Sequence, residues 1–494
     1  MLILLRKMMK SVVRMKSKII YLLTALAVVL ASITLYRIDV KTTRIHQHLD
    51  SRYQDQTTSD DQYYLPIITI DTNNQTIPGS PLGNGNYELS TTGEDFIIGD
   101  FTLIDNQSGN NQLSDQATVN SKIKVGYRGN SSRHFDKKSY SLHLIDQDGK
   151  ENKQELAGMS SHSEWVLNGP FLDRTYLRNY LCMNIAGEIM EYAPNVRFCE
   201  LFIDGKYQGL YLLMETITRG EGRIEINKTD ENADLTSFIV RWDRQGKGDH
   251  EIDNFTYYTY QSDISALDIR YPGKNTITDG KADYINNQIS QIEKMLYSAS
   301  LYEESYNDLI DINSFAQYFI INEFFRNVDA GWFSTFYYKD VRGKVKTVVW
   351  DFNNACDNYA QTINNEIGFS MHNAPWFNQL IKDEEFVSLV ISQYHRLRKS
   401  VLATDYLLEY IEATDKWLTK AIKRNDQIWG YVYDLNNYNP DNYLIPQDRN
   451  FTSHGEAIEE LKEFIVKRGK WLDEHIDSLY QYCAESKNAN ELLR

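Results

Sequence analysis

A chain of 494 residues with 42% hydrophobic and 24% charged residues is too long and too balanced for a peptide, a disulfide-stapled miniprotein or a disordered tail. The net charge of −16 is unevenly spread: residues 1–44 hold nine Lys/Arg against one Asp, which leaves −24 on the remainder. An acidic body of this kind repels nucleic acid, and no basic stripe interleaved with aromatics offsets it, so no nucleic-acid partner is expected.

Six basic residues precede an uncharged apolar run at 19–36. At 1.5 Å per residue that run is about 27 Å long, close to the hydrocarbon core of a bilayer. The sequence therefore predicts a basic cytoplasmic segment over 1–18, a transmembrane signal anchor over 19–36 and a polar stalk over 37–62. The large C-terminal body is expected outside the cytoplasm. Ala31 and Ser32 also leave room for signal-peptide cleavage.

From Tyr64 the chain reads as strand: LPIITI, DFIIGDFTLID, SKIKVGY and SYSLHLID, the last alternating Tyr140, Leu142 and Leu144 on one face. DQDG at 146–149 reads as a hairpin turn. A helix is expected from Asp173 as N-cap through TYLRNYLCMNIAGEIM. VRFCELFI and YQGLYLLMETI follow, joined by Asp204-Gly205-Lys206 as a hairpin. Strands are expected at SFIVRW and near FTYYTY, then helices at YINNQISQIEKML and INSFAQYFIINEFF. A second hairpin, STFYYKD–VRGK–VKTVVWDF, precedes amphipathic helices over 375–425 and 455–485. The predicted class is α+β: a two-lobed body over 63–486, its strand-rich N-lobe at 63–217 and its helical C-lobe at 218–486.

Four scattered cysteines (Cys182, Cys199, Cys356, Cys483) show no CxxC or Cys/His spacing and read as buried thiols. GxSxG, HExxH and GxxxxGK[ST] are absent. What stands out is a pair of acids flanking the second hairpin. Asp329 closes INEFFRNVD, and Asp351 ends VKTVVWD just before Asn353 and Asn354. A strand that runs through the core and releases a carboxylate at its end suits a hard cation. A second constellation, YRGNSSRxFDKKSY at 127–140, makes a tight polar turn of Gly129, Asn130, Ser131 and Ser132, with Arg128, Arg133, Lys137 and Lys138 able to neutralise an anion.

RGNSSRxFxKKSYSLHL, WVLNGPFLDRTYLRNYL, CELFIDGKYQGLYLLMETI and NVDxGxFSTFYYKDxxGKVKTVVWDF, in that order, resemble the CotH family of spore-coat protein kinases over roughly 64–360. The resemblance implies an atypical protein-kinase-like fold and transfer of the ATP γ-phosphoryl group to Ser/Thr of a protein substrate, with Mg²⁺ or Mn²⁺. Residue by residue, it implies Asp351 as the metal ligand and Asp329 as the residue that orients or deprotonates the acceptor. Lys137 or Lys138 would contact phosphate; Lys138, sharing a face with Tyr140 and Leu142, is preferred. Met214 and Glu215 would lie at the lobe connection. Asp173, Arg174, Arg178 and Asn179 belong to the family's helix block. The chain departs from the family pattern at Phe333 and Ser334, where an Asn ligand is usual, and at Asn353, where an acid is usual. Asp136 replaces a Pro. Ser334 and Asn353 then stand at metal-ligand positions, and a catalytically degenerate surface binding, adhesion or scaffold module is the alternative.

Overall fold

The computed structural model describes residues 18, 21–30, 32, 59, 61–83, 85–106, 110–244, 250–256, 265–297, 306–437 and 439–483. The chain divides into residues 1–45 and 46–494. In the first unit residues 21–30 are helical, and Leu22, Leu23, Leu26, Val28, Val29 and Leu30 are exposed. Among the described residues no helix is long and apolar enough to cross a membrane. The expected span at 19–36 falls partly, and the stalk at 37–62 largely, outside the described residues.

The second unit is a mixed α+β body. Its front half carries β1 (Ile67–Asp71), β2 (Ile97–Ile104), β3 (Val119–Arg128), β4 (Ser139–Ile145), the small hairpin β5 (Gln154–Leu156) and β6 (Met159–His162), β7 (Glu164–Asn168), β8 (Val196–Ile203) and β9 (Lys206–Glu215). Seven of these close into a barrel in the order β1-β2-β3-β4-β7-β9-β8. The closing seam is a parallel pairing of β1 with β8, Ile67 opposite Glu200. Every second residue points inward: Ile68 and Ile70, Phe101 and Leu103, Ile123 and Val125, Leu142 and Leu144 fill the interior with Trp165 and Tyr211. Val196, Phe198, Leu210, Leu212 and Met214 face the other way into the main core. β8 and β9 are therefore buried on both faces, and so they read as nearly unbroken apolar runs. Asp204 and Gly205 both take left-handed φ (49° and 71°), the geometry a two-residue hairpin turn requires.

The predicted helix starts later than expected. α1 spans Arg178–Ile189 because Tyr176, at φ 62°, breaks any helical run from Asp173. The Asp173 carboxylate nonetheless accepts from the Thr175 and Arg178 amides at 3.1 and 2.9 Å. The strand expected near FTYYTY does not form where it is described. Phe255 and Thr256 are helical, and 257–260 lie outside the described residues.

A second sheet has the order β11-β12-β10-β13-β14, from β10 (Phe238–Asp243), β11 (His250–Glu251), β12 (Ala266–Tyr271), β13 (Thr335–Lys339) and β14 (Lys346–Val348). α2 (Asp279–Leu296), α3 (Ile312–Phe324), α4 (Phe377–Leu380), α5 (Glu384–Leu397), α6 (Thr404–Trp429) and α7 (His454–His475) supply the rest of the core. α2 and α3 start at Thr278 and Asp311, whose side chains accept from the amides of Lys281 and Ser314.

Candidate active site

The register of the second sheet builds the site. β10 and β13 run antiparallel with Trp242 opposite Thr335, and Val348 of β14 lies opposite Phe336. The end of β10, the turn before β13 and the exit from β14 therefore share one end of the sheet. Asp243, Asp329 and Asp351 come from those three segments.

Asp351 sits at φ 57°, and Arg326, Ser334, Cys356 and Asp357 around it are also left-handed, at 46°, 50°, 51° and 56°. Each non-glycine residue held there costs about 1–3 kcal/mol, so the surrounding bonds must over-determine the loop. They do. Asn327 Nδ2 donates to Asp351 O at 3.1 Å, and the Phe352 amide donates to Asn179 Oδ1 at 2.7 Å. Asn353 donates its backbone and side-chain N–H to Asp351 Oδ1 at 3.2 and 2.7 Å. Asp351 Oδ2 accepts no hydrogen bond from the described residues and is left to the cleft.

Burial pushes the Asp351 carboxyl up; the Asn353 amide and the Arg128 charge pull it back, and Asp243 opposes them. Asp329 is pushed up to about 6, first by burial and further by the like charge of Asp351, against a hydrogen bond from Asn354 and the charge of Arg244. That bond, Asn354 Nδ2 to Asp329 Oδ2, is 2.6 Å. Adjacent Asn353 and Asn354 thus hold one carboxylate each, and the two acids feel each other's charge.

A solvent-open cleft lies between this sheet end and the barrel wall. Asp351, Asn353, Trp350 and Asn179 line one side, and Arg128, Gly129, Ser132, Ser139, Val166, Asn168 and Met214 the other. Arg128 lies 5.4 Å over the Trp350 ring. Of the residues singled out in the sequence, Asp351, Asn353, Arg128, Gly129, Ser132, Asn179 and Met214 line the cleft. Asn130 and Ser131 are exposed on the turn outside it, and Ser334 is not part of its wall. Glu215 is buried elsewhere, its carboxylate accepting from the Asn195 amide at 2.9 Å and from Tyr192 Oη at 3.3 Å.

Neither lysine reaches the cleft, which corrects the preference for Lys138. Its ammonium closes the preceding turn by donating to Arg133 O and Phe135 O at 2.8 and 2.6 Å. Lys137 is buried and donates to Leu210 O and to Asn425 Oδ1 of α6, at 2.7 and 2.8 Å. Burial pulls its pKa from 10.5 down to about 7. The unfolded chain then binds that proton more tightly than the folded one, so stability rises as pH climbs from about 7 to 10. Lys137→Met is expected to flatten that slope in pH-dependent melting, and to cost about 1–3 kcal/mol at pH 9 by removing the donor two buried oxygens share. An unchanged slope would show that Lys137 is not its source.

The helix block braces the loop that follows Asp351. Arg178 and Asp173 form an ion pair at 2.6 Å with both side chains only 3% exposed. Arg178 also donates from Nε to Ala355 O at 3.0 Å and from Nη2 to Cys356 O at 3.1 Å, tying α1 to the segment after Asp351. Asn179 completes the tie by donating to Asn353 Oδ1 at 2.7 Å. Arg174 turns away and donates to Asn442 O at 2.8 Å. Asp173→Ala leaves Arg178 buried and unpaired and is expected to cost about 3–5 kcal/mol in chemical denaturation. A loss under about 1 kcal/mol, typical of an exposed pair, would contradict a buried brace.

Sequence reasoning missed Ser139, Asn168, Asp243 and Arg244. A polar residue closing an apolar strand, as in WVLN and FIVRWDR, was the available signal. All four cysteines are free, and Cys182, Cys199 and Cys356 are buried thiols whose pKa burial raises.

Among the described residues no group of three or more His, Cys, Asp or Glu is placed to hold a metal. The donor set still fits a hard divalent cation. A carboxylate oxygen that accepts nothing from the described residues lies in a cleft wall with amide oxygens beside it, and such ions take one or two carboxylates and complete their shell with phosphate oxygens and water.

Residues 125–472 match the family described as CotH kinase protein. A 95-residue stretch is 27% identical to the inner spore coat protein H of Bacillus subtilis (strain 168), covering 19% of this chain and 24% of that protein. The chain thus spans about a quarter of the length of the curated relative it matches. With the family match covering well over half the sequence, the chain belongs to the CotH kinase family.

Proposed function

We propose that the chain transfers the γ-phosphoryl group of ATP to a Ser or Thr hydroxyl of a protein acceptor. The observation that carries this is the meeting of Asp329 and Asp351 at one sheet end, with Asp351 Oδ2 unclaimed and Arg128 across the cleft. Phosphoryl transfer asks the protein mainly for positioning and charge neutralisation, so few side chains suffice. Mg²⁺ or Mn²⁺, held through Asp351 with Asn353 beside it, would supply positive charge to the nucleotide phosphates. Arg128 neutralises phosphate from the barrel side, and Ser132, Ser139 and the Gly129 turn offer donors. Met214 and Val166 give the cleft an apolar wall for the base. Asp329, its carboxyl near neutrality, orients the acceptor hydroxyl and takes its proton.

The test is incubation of the full chain with labelled ATP, Mg²⁺ or Mn²⁺ and a Ser-rich acceptor, beside Asp329→Asn. Label on the acceptor from the wild type alone is expected. Equal label from both, or none from either, would remove the assignment; nucleotide-independent acceptor binding without transfer would favour a scaffold.

The exposed apolar residues of 21–30, following a basic segment, support insertion of the 19–36 run with the large unit outside the cytoplasm. Resistance of the full chain to carbonate extraction is the expected result, and its release into the supernatant would contradict it.

A further inference from the structure

The cleft presents Arg128 on the nucleotide side. A second cation, Arg244, lies beside Asp329 and has so far entered only through the pull of its charge on that carboxyl. Because Trp242 pairs with Thr335, the chain leaving β10 runs beside the Asp329–Ser334 turn. Arg244 is the second residue beyond that pair. Its guanidinium sits 3.9 Å over the ring of Phe333. The Phe333 amide in turn donates to Asp329 O at 2.8 Å, so ring and carboxylate belong to one closed turn.

Arg244 is exposed, and among the described residues its guanidinium makes no ion pair or hydrogen bond. The neighbouring acid does not neutralise it. Asp243 accepts the Arg244 backbone N–H at 2.8 Å, and its carboxylate lies 3.5 Å from Arg241. A π face holds a cation by its quadrupole while leaving the N–H fork unspent. Arg244 is thus parked beside the catalytic turn with its donors available.

The chemistry at that point needs such a group. The phosphoryl group in flight must lie between the nucleotide and a hydroxyl held at Asp329, with negative charge spread over its three peripheral oxygens. Asp351 is the one carboxylate in the cleft wall among the described residues. A ligand set so poor in anions supports little divalent charge, and side chains must meet the rest.

We propose that Arg244 is a catalytic residue whose guanidinium contacts the phosphoryl group in transit, with the Phe333 ring holding it at the catalytic turn until substrate arrives. In that step the bond from the γ-phosphorus to the oxygen it shares with the β-phosphate breaks as the bond to the acceptor oxygen forms. The hydroxyl proton passes to Asp329, and the electron pair of the broken bond stays on the departing nucleoside diphosphate. The assignment rests on the phosphotransfer proposed above.

The experiment compares wild type, Arg244→Ala and Arg244→Lys in the full chain, by kinetics and by binding of ADP–Mg²⁺ with and without aluminium fluoride, a mimic of the phosphoryl group in flight. Expected in Arg244→Ala are wild-type affinity for ADP, loss of the tightening that fluoride gives the wild type, and a turnover reduced about 10²–10³-fold at little-changed KM for ATP. Arg244→Lys should recover part of both. A structural role would move none of the fluoride response selectively. Wild-type turnover and fluoride tightening in Arg244→Ala would overturn the assignment while leaving phosphotransfer standing. So would equal losses in ADP and ADP–fluoride affinity, which indicate ground-state binding. A wild type that neither binds ADP nor labels an acceptor would overturn phosphotransfer, and this role with it.

Discussion

Asp351→Asn is expected to lower phosphoryl transfer by about 10³-fold or more, because the substitution removes the single carboxylate that the described residues place in the cleft wall. The change is nearly isosteric. An amide oxygen can still accept from the Asn353 N–H groups, and the loop retains its ties through Asn327, Asn179 and Arg178. The fold should therefore survive, and melting should match or exceed the wild type, since a buried anion whose pKa burial raises has been removed. The diagnostic measurement is nucleotide affinity with and without Mg²⁺. Wild type should gain affinity with the ion, and the variant should not. Transfer within tenfold of wild type would mean that the metal carboxylate lies elsewhere.

Asp329→Asn should separate chemistry from binding. With the acceptor hydroxyl no longer met by a base, turnover is expected to fall about 10²–10⁴-fold while nucleotide affinity holds. The same variant has a stability signature of opposite sign. A carboxyl raised from 3.8 to about 6 binds its proton more tightly in the folded state, so native stability falls as pH rises through that window. The asparagine lacks this cost. It should melt higher than wild type at pH 7–8, by at most about 2–3 kcal/mol for a shift of roughly two pKa units, and lose that advantage below pH 4. A less active variant that is also less stable at pH 8 would point to a structural Asp329.

The two acids were legible because each ends an element the sequence announces: Asp329 a helix-and-turn, Asp351 an apolar strand. Their flanking hairpin brings them together by local geometry. Lys137 and Lys138 misled for a definite reason. Period-2 alternation tells which residues share a face, but β4 begins at Ser139, so the rule does not reach the two lysines just before it. Burial depth and a partner 288 residues away at Asn425 decided Lys137, and no local pattern carries that information. The late start of α1 had the same character. Asp173 looks like a cap and does accept the Arg178 amide, yet Tyr176 turns left-handed between them. Arg244 was hidden because a charged residue after a strand is ordinarily just a solvated end. It acquires meaning only from the register that sets β10 beside β13.

The seam between β1 and β8 bears on where this domain can be cut. The family match begins at residue 125, inside β3, whereas the cylinder is shut by a strand at 67–71 and by β2 beside it. A fragment trimmed to the matched interval would lose both staves and most of a third, leaving His143–Ile145 of β4 and Glu200–Ile203 of β8 without their partners on that side. Such rims recruit other chains. Expression of residues 125–472 alone should therefore give aggregates, and a fragment retaining everything from about residue 60 should not.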